Sequence, residues 1–201
     1  GPSVTAQTPS DGCSLFGPDT SSTAFRPRDP DATGGFYQPL LALLPGDDPA
    51  VELARIHCDL PDADATAASA FAAAYQVNQN PTLLPLTATQ DGAPADLASP
   101  VAAGTRLVLE AAWPASSAET FAYFDPGTQS VYGQRESMQV AWYTSAGALD
   151  TESTGRASGD MTTTSDDGWL TPSAAGTVHL WVVLRDSRGG VDFASVDVVV
   201  Q

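Results

Sequence analysis

The chain has 201 residues, enough for one large domain or two small ones, and sets 24 acidic residues against eight arginines and no lysine, for a formal charge of −16. The missing lysine excludes Schiff-base enzymes, P-loop NTPases, kinases and Lys–Asn isopeptide staples, each of which needs a particular amine. The negative field repels phosphate backbones and anionic lipid, which sets aside nucleic acid and membrane-surface partners.

Gly1-Pro2 reads as a remnant of tag removal and is set aside. No apolar run approaches the roughly 18 residues of a membrane span. Cys13 and Cys58 are the only cysteines, and their spacing suits no zinc knuckle or CxxC pair. Two lone cysteines in an acidic, proline-rich chain fit an exported protein with one disulfide between them. Pro9-Ser10-Asp11-Gly12 supplies no lipobox for Cys13, so any lipid anchor would have to be a cysteine further upstream, which the sequence leaves open.

Residues 3–35, rich in Pro, Ser, Thr, Asp and Gly, read as an extended arm tethered at Cys13. Phe36–Leu44 reads as a strand that ends at the turn signal Pro45-Gly46-Asp47-Asp48-Pro49, and Val51–Cys58 as a half-buried strand. Asp62 or Asp64 is placed to cap a helix from Ala65 to Tyr75, which sets Phe71 and Tyr75 on one face. Asn78-Gln79-Asn80-Pro81 stops it. From Leu83 onward the pattern changes to short alternating strands. Leu107, Leu109, Ala111 and Trp113 share one face of Thr105–Trp113, and Met138, Val140 and Trp142 share one face of Ser137–Thr144. Thr177–Asp186 sends Val178, Leu180, Val182 and Leu184 inward, and Val191–Val200 sends in Ala194, Val196, Val198 and Val200. Asp186-Ser187-Arg188-Gly189-Gly190 joins these two strands as a hairpin turn.

The segment Gln139-Val140-Ala141-Trp142-Tyr143-Thr144-Ser145-Ala146-Gly147 resembles the third strand of bacterial immunoglobulin-like and PKD-like domains. The run from Trp169-Leu170-Thr171-Pro172 through Gly176–Asp186 to Gly189-Gly190 resembles their final hairpin. The resemblance covers about residues 80–201, with Trp142-Tyr143-Thr144-Ser145 standing where PKD repeats carry WDFGDG. It also extends to uncharacterised lipoproteins of high-GC Gram-negative bacteria, in which a cysteine-bearing N-terminal region precedes one such sandwich. It implies a mainly β chain: a disulfide-tethered N-terminal region, 3–80, holding strands and one helix, then an immunoglobulin-like antiparallel β-sandwich, 81–201. Trp142 is then the central core tryptophan.

Catalytic constellations are sparse. No GxSxG elbow exists, and the two histidines are His57 and His179. His57 and Cys58 are strand neighbours whose side chains diverge, and a zinc site from both histidines and both cysteines would compete with the disulfide. With 24 acids, carboxylate pairs carry no information about glycoside hydrolysis. Asp29, Asp31 and Thr33 match the first half of a calcium loop, but Leu40 stands where the closing glutamate belongs. Asp160 and Asp166-Asp167-Gly168 read as another acidic turn. Solvated Asx-turns are the simpler account of both, so no cofactor is expected.

The informative feature is the outward face of the final hairpin. Alternation turns His179, Trp181, Val183, Arg185, Phe193 and Val199 away from the core, and Tyr143 joins them if its strand pairs with Thr177–Asp186. Such a face should be covered. Cover by residues 36–80, through the Phe71/Tyr75 helix or the strands, is the expected arrangement; a partner protein or a glycan stacking on the aromatics is the other use of Tyr143, His179, Trp181, Val183 and Phe193. The expected role is that of a non-catalytic structural and interaction module in the periplasm, on the outer membrane or at the cell surface, part of a lipoprotein. A carbohydrate-binding module is the alternative, and an enzyme of unknown type comes third.

Overall fold

The computed structural model describes residues 7, 10, 35–43, 50–58, 60 and 63–201. The chain is mainly β, its strands antiparallel and its one described helix short. It forms two compact units: residues up to 76 together with 121–134, and residues 77–120 together with 135–201.

In the first unit, β1 (Gly35–Ala42) pairs antiparallel with β2 (Ala50–His57), with Phe36 opposite Ile56 and Leu41 opposite Val51. Helix α1 (Ala65–Ala74) starts at Asp64, whose Oδ1 accepts from the Ala67 N–H at 2.8 Å and so satisfies one of the orphan donors of the first turn. Alanine carries most of α1, and its buried face is narrow: Ala67 and Phe71. Phe71 and Tyr75 stack at 5.8 Å, as their spacing predicts. They pack with Leu60 against Ala122, Phe124 and Val131. Those last residues come from the hairpin of β6 (Thr120–Asp125) and β7 (Ser130–Arg135), whose turn is held by Gly127 N–H and Thr128 Oγ1 donating to the Asp125 carboxylate. Residues 121–134, which fall within the expected 81–201 sandwich, group with this unit, and their apolar side chains complete the core under α1. Cys58 is buried and is not a free thiol, while Cys13 lies outside the described residues, as do Asp29, Asp31, Thr33 and most of the expected arm.

The second unit holds two sheets. One has the order β10-β8-β12-β13, built from Ser153–Arg156, Met138–Thr144, Gly176–Asp186 and Val191–Val200. The other has the order β4-β3-β5-β11-β9, built from Ala93–Ala95, Thr87–Gln90, Arg106–Ala112, Thr164–Leu170 and Ala148–Leu149. The two share one core, because alternate residues of each sheet point into it. Leu107, Leu109, Ala111 and Trp169 come from the five-stranded sheet; Met138, Val140, Trp142, Leu180, Val182 and Val198 come from the other. Trp142 lies at the centre, its Nε1–H donating to Thr154 Oγ1 at 2.8 Å, and Thr154 Oγ1 also accepts from Ser165 Oγ. Trp113 and Trp169 are buried with it.

Two local expectations change. Asp166-Asp167-Gly168 is part of β11, paired with β5, and not a turn. Asp167 is buried there and accepts from Thr151 N–H, and burial raises its carboxyl above the usual carboxylate range. Trp169 and Leu170 likewise belong to β11 and lie outside the final hairpin, because their backbones pair with Leu107 and Arg106.

Candidate binding face

β8, β12 and β13 lie side by side in the register that alternation requires. Trp181 faces Tyr143 across one strand pair; Val183 faces Phe193, and His179 faces Asp197, across the other. The odd-numbered residues of β12 therefore stand on the sheet's outer surface while Val178, Leu180, Val182 and Leu184 fill the core. The resulting surface is aromatic and open to solvent: Trp181 is 41% exposed, Tyr143 50% and Phe193 71%. Val183 is half-buried beside them. Phe71 and Tyr75, on the helix expected among the covering residues 36–80, pack in the first unit's own core with Phe124 and Val131.

Polar groups border the aromatics. His179 Nδ1 meets Asp197 Oδ1 at 2.6 Å, and the His179 ring lies 5.8 Å from the Trp181 ring. The backbone N–H of His179 donates to Ser145 Oγ, which fixes the strand at this point. On the far side Arg185 pairs across the ladder with Gln139. His179 is thus brought to the aromatic face, as expected; the side chain of His57 lies outside the described residues.

A second constellation was not foreseen. Glu136, between β7 and β8, has no exposed surface. Its Oε2 accepts from the Glu119 N–H at 2.9 Å, and Arg188 Nη1 lies 3.5 Å from its Oε1. Burial and the neighbouring Asp186 carboxylate push the Glu136 carboxyl up to about 7, with the Glu119 N–H and Arg188 opposing. Asp186 itself closes the hairpin turn, accepting from the N–H groups of Arg188 and Gly190. A side chain at Gly190 would collide with that carboxylate, which is why glycine stands there.

These acids also fasten the segment that leads into the second unit. Asn78 Nδ2 donates to Asp186, Gln79 N–H to Glu119, Thr82 N–H to Ser117 Oγ and Leu83 N–H to Asp192, while Asn80 Oδ1 accepts from Val191 N–H. The cluster is therefore a clamp on this segment, in which Asn78 Oδ1 and Glu136 Oε1 are buried without a hydrogen-bond partner. Among the described residues no three His, Cys, Asp or Glu side chains converge as metal ligands. An open cleft of about 490 Å³ lies between the β3–β4 turn and residues 96–102. Its Asp96 accepts from Ser99 Oγ and Ala98 N–H, which holds that carboxyl below the usual range. Among the described residues no helix is long and apolar enough to cross a membrane.

No family model and no curated protein matches the chain. Among solved structures it is similar to the solution NMR structure of a lipoprotein from Bacteroides thetaiotaomicron, with TM-score 0.33 and 11% identity over 61% of this chain and 83% of that one.

Proposed function

We propose that this chain is a non-catalytic, extracytoplasmic interaction module of a surface or periplasmic lipoprotein, and that it makes its contacts through the outer face of the β10-β8-β12-β13 sheet. One observation carries the reading: Tyr143, Trp181 and Phe193 stand together on that face in contact with solvent. Contiguous apolar surface of this kind marks an interaction site more often than it marks nothing. The scaffold beneath it supports an immunoglobulin-like reading. The β5–β11 pair in one sheet and the β8-β12-β13 run in the other follow the pairing of strands B–E and C–F–G, with the buried tryptophan on the C-equivalent strand. Export is supported by composition: no lysine, a charge of −16 and a lone pair of cysteines.

The contact surface is tested by sedimentation with isolated bacterial cell envelopes. The wild-type chain is expected to co-sediment saturably, and the double variant Trp181→Ser/Phe193→Ser to stay in solution while melting like the parent. Equal sedimentation of both would overturn the assignment of the face. The export reading carries a second test, the proposed Cys13–Cys58 bond. Alkylation of denatured, unreduced protein should add no label, and reduction first should add two. Breaking the bond is expected to cost roughly 3–4 kcal/mol on the chain-entropy account of a loop of this length.

A further inference from the structure

We propose that the ligand of this face is an uncharged glycan of gluco-configured pyranose rings, bound as a linear chain along β12; the proposal rests on the reading of the face as the contact surface. The argument begins with charge. The outward positions of the four strands carry one guanidinium, Arg185, and one carboxylate, Asp197, which is already paired with His179. The face is neutral on a molecule of net charge −16. A polyanion is repelled by the whole and a polycation finds no acidic partner on the face, so the matching ligand is uncharged.

Shape and polarity then select sugar. A pyranose with equatorial hydroxyls has two faces of C–H groups and a rim of hydroxyls. The C–H face is attracted to the negative π-face of an aromatic ring, and the rim needs planar side chains that both donate and accept. The sheet presents that alternation. Along β12 the outward residues run Arg185, Val183, Trp181, His179, spaced about 7 Å apart. The Trp181–Tyr143 and Val183–Phe193 pairs form the apolar middle. Arg185–Gln139 lies at one end and His179–Asp197 at the other. Polar groups thus bracket a strip roughly 20 Å long, room for a short linear oligosaccharide. A protein partner would draw its energy from an anchor side chain seated in a pocket; here the rings project from the surface of an antiparallel sheet.

The test uses the full chain and three hexasaccharides, of β-1,4-glucose, β-1,4-N-acetylglucosamine and β-1,4-mannose, with an oligogalacturonate as the charged control. Trp113, Trp142 and Trp169 are buried in the core, so quenching of exposed tryptophan by acrylamide reports Trp181. Saturable protection of that fluorescence is expected with the β-1,4-glucose or the β-1,4-N-acetylglucosamine hexasaccharide, half-saturating at roughly 10 μM to 1 mM, and none with oligogalacturonate. Calorimetry should show Trp181→Ala weakening binding about tenfold, with melting unchanged. Asp197→Asn should weaken it severalfold. The proposal falls if neither gluco-configured hexasaccharide binds saturably, if the mannose hexasaccharide alone binds, or if Trp181→Ala binds as tightly as wild type. Envelope binding that is lost in Trp181→Ser/Phe193→Ser without any hexasaccharide binding would overturn the glycan and leave the contact surface standing. Envelope binding indifferent to that variant would overturn the contact surface, and the glycan with it.

Discussion

Trp142→Ala is expected to destabilise the second unit by about 3–5 kcal/mol, the cost of emptying a large aromatic site that cannot collapse. The side chain is 1% exposed and lies where the inner faces of both sheets meet, among Val140, Leu109, Leu180 and Trp169. Its loss also leaves Thr154 Oγ1 without the indole donor, although the Ser165 hydroxyl still bonds to it. For a domain that holds about 5–15 kcal/mol in total, this is a large fraction. The melting temperature should fall by roughly 10 °C or more. Trp142→Phe should cost less, since a ring still fills most of the space. Chemical denaturation followed by near-ultraviolet circular dichroism measures both, because Trp113 and Trp169 report the same core. A Trp142→Ala variant that melted within a degree or two of wild type would mean that Trp142 does not hold the sheets together.

The strands that build this core are the ones the sequence marks best. β5, β8 and β12 bury alternate side chains along most of their length, β13 alternates more weakly towards its buried end at Val198 and Val200, and a period of two over seven or more residues has few competing readings. α1 is legible for another reason: an alanine run needs a start signal, and Asp64 supplies it. The β6–β7 hairpin escaped because neighbouring residues Phe121 and Ala122 are both buried, which breaks the alternation. Its role escaped for a stronger reason. It completes a core with α1, some fifty residues upstream, and nothing local in either segment announces the pairing. Asp166-Asp167-Gly168 misleads in the opposite way. Turn chemistry predicts a loop, but the ladder to β5 and the Thr151 N–H bound by Asp167 hold it as strand.

The same distinction divides the candidate sites. Which residues form the aromatic face follows from alternation and the β8–β12 register. That Phe71 and Tyr75 build a core with Phe124 and Val131 is a tertiary matter that no local pattern marks. Glu136 is invisible in sequence because it sits outside any regular pattern, and its environment comes from burial, from Asp186 and Arg188 of a distant hairpin, and from the Glu119 N–H.

Glu136 also gives the second large effect, a loss of stability as the pH rises. Its carboxyl is raised from an ordinary 4.5 to about 7 by burial and by Asp186. The native state therefore holds a proton that the unfolded chain has already released. Below about 4.5 both states are protonated and the contribution is full. Between there and about 7 the unfolded state binds fewer protons, so stability declines with pH at up to about 1.4 kcal/mol per unit; above 7 the decline stops. The integrated loss is roughly 3 kcal/mol. Physically, the carboxylate formed at high pH has the Glu119 N–H and the nearby Arg188 guanidinium to stabilise it, while burial and Asp186 oppose it. Glu136→Gln keeps the shape and an oxygen to accept from Glu119, and it removes the charge. The variant should match wild type near pH 5 and exceed it in stability at pH 8, with the difference growing between those values. Because all other groups titrate in both proteins, the difference between the two curves isolates Glu136. Parallel stability curves from pH 5 to pH 8 would show instead that Glu136 is ionised throughout, and that Arg188 outweighs burial in setting its charge.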